Sequence, residues 1–244
     1  MMWGYIRGTD GKPPVPLNLP IKSHCHALLS GSSNSGKSYA TLYLCGNLLK
    51  ETPNTSVYIC DFKNSTDFAF LEGYPHYYSG DKCYEGVMAY YESYSNARIK
   101  RETSKRHILI FDEYPGAISR MMANDKQNKT KRSNDILSAV SEILMLGRSM
   151  EYGIWLICQR PSANIFENGC RDNMMIIANF GRMSREQRSI LFSGEEIPDR
   201  IYKPGEGLLL ADGHPLYEIC MPRIRNPVDW KKHIKHELMQ HCDM

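Results

Sequence analysis

Short apolar runs alternate with longer stretches of helical periodicity along most of the chain, and this alternation predicts its elements. Ala27-Leu28-Leu29 is strand-sized and is followed by a Gly/Ser-rich stretch and a helix from about Lys37 to Lys50. Val57 to Cys60 is the next strand, and a helix is expected over about Lys82 to Lys100. Ile108 to Phe111 is a third strand. Pro115 to Asn134 is polar and reads as a loop. From Asp135 to Met150 the residues Ile136, Leu137, Val140, Ile143 and Leu144 recur at helical spacing. Ile154 to Cys158 and Met174 to Ala178 are further strands. Leu208 to Leu210, a turn at Asp212-Gly213 and Leu216 to Cys220 predict a terminal hairpin. Strands apolar throughout, separated by helices, predict an α/β fold with a mostly parallel sheet flanked by helices on both faces. Gly11, Pro13, Pro14, Pro16 and Pro20 make residues 1–24 look irregular. Residues 25–225 read as one domain and 226–244 as a helical tail.

Composition narrows the class. The 244 residues are 42% hydrophobic and 23% charged, which supports a packed core and excludes a disordered, collagenous or coiled-coil chain. No apolar run approaches the ~18 residues of a membrane helix. Residues 1–14 hold no apolar leader segment, so no signal peptide is expected and a cytoplasmic location is. The eight cysteines are scattered without a CxxC pair and read as reduced thiols. His233, His236, His241 and Cys242 cluster near the C-terminus but lack a tetrahedral-site spacing, and read as the end of a frayed helix. Net charge is only +3, yet Arg98 to Asp135 carries ten Lys/Arg against five acids, net +5.

Gly31-Ser32-Ser33-Asn34-Ser35-Gly36-Lys37-Ser38 matches GxxxxGK[ST] in full, after a strand and before a helix. The glycines let the backbone curl so that several N–H groups point at one anion, and the helix N-terminus adds its dipole. Lys37 supplies a mobile charge for the β/γ-phosphates of ATP, and the Ser38 hydroxyl a Mg²⁺ ligand. Downstream, Ile108-Leu109-Ile110-Phe111-Asp112-Glu113 is an apolar strand ending in two carboxylates. Behind a phosphate loop, Asp112 is placed to hold Mg²⁺ and Glu113 to take a proton from attacking water.

With these motifs in hand, the chain resembles the FtsK/HerA superfamily of hexameric DNA-translocating ATPases, closer to FtsK-like proteins of mobile elements and phages than to the chromosomal pump. Five segments carry the resemblance in order: Leu29 to Ser38; Tyr58 to Lys63, ending Asp61-Phe62-Lys63; Ile108 to Glu113; Gly147-Arg148-Ser149 with Gly153 to Gln159-Arg160-Pro161; and Gly205-Glu206-Gly207 with Leu208 to Leu210. The resemblance implies a RecA-like P-loop domain that hydrolyses ATP with Mg²⁺ and moves DNA, expected to be double-stranded, as a ring of six. It implies that Gln159 positions the lytic water or senses the γ-phosphate, and that Asp61 and Lys63 couple nucleotide state to DNA. Among Arg148, Arg160 and Arg182, Arg148 is the first choice for a finger donated to a neighbour's ATP, because it ends a helix expected near the active edge. Ser-Met-Glu-Tyr between Arg148 and Gly153 departs from the family spacing. The membrane helices and DNA-reading winged helix of the chromosomal pump have no counterpart in these residues.

Lys126, Lys129, Lys131 and Arg132 crowd one polar stretch without interleaved aromatics, so they read as a loop gripping the DNA backbone rather than stacking on bases. Two rival functions fit a P-loop chain. A phosphotransferase on a small acceptor would need a lid and an acceptor pocket; a non-motor ATP switch would bind a protein partner.

Overall fold

The computed structural model describes residues 1–8, 13–161 and 172–242. Among these residues ten strands form a single sheet: β1 (Met2–Ile6), β2 (Val15–Asn18), β3 (Ala27–Gly31), β4 (Thr55–Asp61), β5 (Tyr77–Ser79), β6 (Arg106–Asp112), β7 (Tyr152–Cys158), β8 (Ile176–Phe180), β9 (Glu206–Ala211) and β10 (Tyr217–Cys220). Their order is β2-β1-β10-β9-β8-β3-β7-β6-β4-β5. From β8 to β5 every pairing is parallel, and β8 through β2 form an antiparallel wing.

β3, β4 and β7 are buried at every position, as strands covered on both faces must be. One apolar layer lies under α2 (Cys83–Lys100), α3 (Tyr114–Asn128) and α4 (Arg132–Leu146), and includes Tyr90, Tyr94, Ile118, Ile136 and Val140. The other lies under α1 (Lys37–Glu51) and α6 (Pro227–Gln240), and includes Leu44, Leu48, Ile234 and Leu238. α5 (Arg185–Leu191) follows β8 and opens with a capping box at Ser184 and Gln187.

Two sequence expectations are corrected. Residues 1–24 are not irregular throughout, because β1 pairs with β10 and β2 closes the edge. Pro16 is tolerated there since an edge strand leaves one row of N–H groups unpaired anyway. Pro115 to Asn134 is not a loop but most of α3, a three-residue turn and the start of α4. Pro115 sits in the first turn, where its missing N–H costs nothing, and Tyr114, Ala117, Ile118 and Met121 form a buried stripe. The C-terminal residues also do more than trail. Trp230 of α6 donates from Nε1 to the Leu42 carbonyl at 3.0 Å and lies on Gly46, where a Cβ would come within 2.3 Å of its ring. His233 and His241 flank the Glu237 carboxylate at 3.7 and 3.8 Å, and the described residues hold no cluster of metal-ligating type. Seven cysteines are free thiols; Cys170 lies outside the described residues.

His26 at the head of β3 accepts a hydrogen bond from the Ile154 N–H on Nδ1 at 3.1 Å. Burial, with the Arg148 charge nearby, lowers its pKa from 6.5 to about 4. Unfolded chains therefore take up this proton first, and stability should fall as pH drops from about 6.5 towards 4, by on the order of 3 kcal/mol in full. Urea unfolding at several pH values should show this slope in the wild type and less of it in His26→Gln.

Candidate active site

The strand ends β3, β7, β6 and β4 lie side by side, and the motif residues sit at or just beyond them. β3 ends on Gly31, five residues turn, and α1 begins at Lys37. Asn34 and Gly36 hold positive φ values of 61° and 94°, which curl the loop. Its position is set by close backbone contacts. A Cβ on Gly31 would come within 2.5 Å of the Phe180 carbonyl, and one on Gly36 within 2.7 Å of the Gly205 nitrogen. The Gly205 N–H donates to the Ser35 carbonyl at 2.8 Å. The Gly-Glu-Gly segment is therefore a buttress for the phosphate loop, a role sequence reasoning did not assign.

Lys37 is buried, and its ammonium donates to the carbonyls of Gly31 (2.5 Å) and Ser32 (2.9 Å). Burial and the Lys63 charge lower its pKa, while Glu113 and Asp112 oppose the shift. Ser38 follows in the first turn of α1. Ser35 Oγ is shielded from solvent without a hydrogen-bond partner. A loop holding an ammonium on carbonyls alone and a hydroxyl with nothing to bond suits a phosphate group.

Asp112 ends β6, opposite Asp61 in the β4 register, and is buried. Burial pushes its pKa up to about 6 against the pull of Lys63, with Asp61 and Glu113 adding to the rise. A cation beside it would restore the charged form. Asp61 is committed to its own turn: Oδ2 accepts from the Ser65 N–H (2.8 Å) and the Tyr77 hydroxyl (3.0 Å). Glu113 is in the left-handed region at φ 57°, ψ 41°, between β6 and α3. Such a conformation costs a non-glycine residue on the order of 1 kcal/mol, and here it turns the chain from a strand end into a helix start rather than closing a helix as at Arg101 and Lys129. Its Oε2 lies 2.6 Å from Lys63 Nζ.

Gln159 leaves β7, the strand paired with β3, and lines a cleft with Ser32 and Ser33 of the loop. Arg160 and Arg182 line the same cleft. Arg148 does not lie near that edge. It sits in a short 3₁₀ turn ahead of β7, in a hollow with Pro20, Lys22 and Ser23 at the opposite end of the strands. α4 runs antiparallel to the strands, so its C-terminus must arrive at the edge where β7 begins.

The basic stretch is equally redefined. Lys126 is in the last turn of α3, Lys129 ends it at φ 54°, Lys131 precedes α4 and Arg132 opens it. Asp125 fastens the turn, accepting from the Thr130 hydroxyl, the Arg132 N–H (3.1 Å) and both N–H and Oγ–H of Ser133 (2.8 and 2.6 Å). The Arg132 guanidinium lies 4.7 Å from the Tyr84 ring centre and 3.9 Å from Glu85. These cations stand on a fixed helical hairpin rather than a flexible loop.

Sequence reasoning also missed a second pocket on the far side of Lys37 and Ser38. Tyr39, Leu42, Asp67, Ile224, Pro227 and Trp230 line about 440 Å³ there. The Tyr39 hydroxyl donates to the Pro222 carbonyl at 3.1 Å and accepts from the Ile224 N–H, which draws the C-terminal segment over the N-terminus of α1. Only the aromatic Tyr39 directly after the motif hinted at it.

No family model matches the chain. The FtsK domain-containing protein YdcQ of Bacillus subtilis (strain 168) is 26% identical over 135 residues, 54% of this chain and 26% of the relative. Among solved structures, ATPases 2 and 3 of EssC from Geobacillus thermodenitrificans match over 98% of this chain and 48% of theirs, with a TM-score of 0.68 and 13% identity. The pCW3 conjugation coupling protein TcpA, in its monomer form with ATPγS, matches over 93% of this chain and 69% of its own, with a TM-score of 0.67 and 17% identity. The chain thus spans about a quarter of the curated relative and about half of the EssC chain. No helix among the described residues is long and apolar enough to cross a membrane. In sequence the chain is similar to an FtsK domain-containing protein, and in fold to the ATPase domains of EssC and to TcpA.

Proposed function

We propose that this chain is the motor domain of an ATP-driven DNA translocase working as a ring, of six subunits on the FtsK/HerA pattern, in packaging, conjugative transfer or replication of a mobile element. The observation that carries the reading is the convergence of Lys37, Asp112, Glu113 and Gln159 on one sheet edge, with Glu113 strained and paired to Lys63. Lys37 exchanges its two carbonyl contacts for β/γ-phosphate oxygens of ATP. The base and ribose take the pocket between α1 and α6, against Tyr39 and Trp230. Ser38 and Asp112 offer the hard oxygen ligands that Mg²⁺ prefers and would hold the ion, which when bound would supply neutralisation of phosphate charge. Glu113 accepts the proton of the attacking water once Lys63 releases it, and Gln159 orients that water. Arg148 faces away from its own phosphate loop, so as a finger it can serve only a neighbour's ATP.

The test is ATPase turnover with no nucleic acid, with double-stranded and with single-stranded DNA, across protein concentration. Turnover per subunit should rise with concentration and with DNA, and Arg148→Ala subunits should poison mixed assemblies. Turnover indifferent to DNA would leave an ATP switch instead of a motor. Strict proportionality to concentration without poisoning would remove the finger in trans.

A further inference from the structure

Beside the phosphate loop lies a cleft of about 1240 Å³ that the proposed reaction leaves unexplained. Arg160 after β7, Arg182 after β8, Arg185 and Arg188 of α5, and Arg200 ahead of β9 all line it. Among the described residues, Asp199 is the one acidic residue on its wall. Arg200 is already compensated, 3.2 Å from Glu218 and 3.7 Å from Glu206. The other four make no ion pair among the described residues, and Arg188 Nε is shielded from solvent with no acceptor. Like charges gathered in one space repel, and a desolvated guanidinium nitrogen without an acceptor is costly. An anion relieves both penalties.

The shape of that anion follows from the same residues. Planar guanidinium forks match the paired oxygens of phosphate groups. The volume exceeds the ~300–1,000 Å³ typical of a small-ligand pocket, so a polymer segment fits better than one phosphate. The aromatic ring on the wall, Tyr202, is taken up by Arg200 at 5.1 Å and by a 2.9 Å hydrogen bond to Glu218. It is not free to stack on a base, which leaves the backbone as the feature recognised. The α3–α4 turn is a weaker rival, since Arg132 is engaged by Tyr84 and Glu85.

We infer that this cleft holds the phosphate backbone of a nucleic-acid strand, directly against the loop that binds ATP. The inference rests on the motor reading for its choice of nucleic acid. It also shortens the path of coupling, because Ser32 and Ser33 of the phosphate loop, with Gln159, line the cleft.

The test is fluorescence anisotropy of labelled mixed-sequence oligonucleotides, single- and double-stranded, titrated with the full chain over a range of salt. Arg182 and Arg185 are exposed, so Arg182→Ala with Arg185→Ala should leave the fold intact. That double variant should bind at least about tenfold more weakly and lose about two units of salt slope, whatever the base sequence. The Lys pair at the same positions should recover part of the affinity. Lys126→Ala, Lys129→Ala and Lys131→Ala together should change much less. Wild-type affinity in the arginine variant would overturn the inference and leave the motor reading standing. Loss of self-association with unchanged affinity per subunit would also overturn it, making the cleft a seat for a second copy. Outright displacement of the oligonucleotide by inorganic phosphate at matched ionic strength would reduce it to a phosphate site. A wild-type chain that turns over ATP but binds no nucleic acid would sink the DNA reading itself.

Discussion

Lys37→Ala should abolish ATP turnover and weaken nucleotide binding by one to two orders of magnitude. A charge-assisted hydrogen bond to phosphate is worth roughly 1.5–3 kcal/mol, which sets the affinity loss. The rate should fall further, by about a thousandfold or more, because the same cation faces charge that develops as the γ-phosphoryl group leaves. Stability should not fall with activity. The ammonium is buried on two carbonyls, and its pKa is lowered by that burial. Removing it also removes a desolvated charge. Thermal unfolding, ATP-analogue titration and steady-state turnover together check this. A variant that unfolds early, or one that still turns over ATP at the wild-type rate, would contradict the assignment.

The second large effect divides the two carboxylates. Glu113→Gln keeps size and hydrogen-bonding shape, so Mg-ATP should bind about as before while turnover drops by about 10²–10⁴. Asp112→Asn should instead lose metal-dependent affinity, because the neutral amide is a poor ligand for a hard cation. Nucleotide titrations with Mg²⁺ and with EDTA separate the two, alongside single-turnover hydrolysis. Small and equal effects from both changes would mean that the strand end is no metal and base site. Glu113→Gln also removes the charge from the 2.6 Å pair with Lys63 while leaving an oxygen that can accept its hydrogen bond, so its binding data report on that pair as well.

What the sequence revealed was whatever is encoded locally. The phosphate loop, the Asp-Glu strand end and the strand–helix alternation each occupy one contiguous stretch, and each lies where expected. The misses have physical causes. β1 and β2 are recognisable as sheet strands only through β10, more than 190 residues away in the chain. The buried stripe of α3 is diluted by Asn, Asp, Lys and Gln on its exposed face, and Pro115 looked like a breaker when it was a first-turn residue. Arg148 was misplaced although the rule was available. A helix crossing back between parallel strands ends where the next strand starts, at the edge away from the phosphate loop. The arginine cleft and the pocket under Trp230 each draw on segments from several parts of the chain, so no window of sequence shows them.

The antiparallel wing has a further consequence, for the order in which the chain can assemble. Tyr5 pairs with Cys220, so β1 joins the sheet only through a strand made more than 200 residues later. Until then β1 and β2 can pair only with each other, and an isolated two-stranded ribbon is marginal in water. The parallel strands from β3 to β7 meet no such delay and can form while synthesis continues. Gly205, which buttresses the phosphate loop, enters with the same late hairpin. Nascent chains stopped before β9 would therefore carry the whole GxxxxGKS stretch and yet leave it unsupported, so nucleotide binding should be acquired only once β9 and β10 have been made.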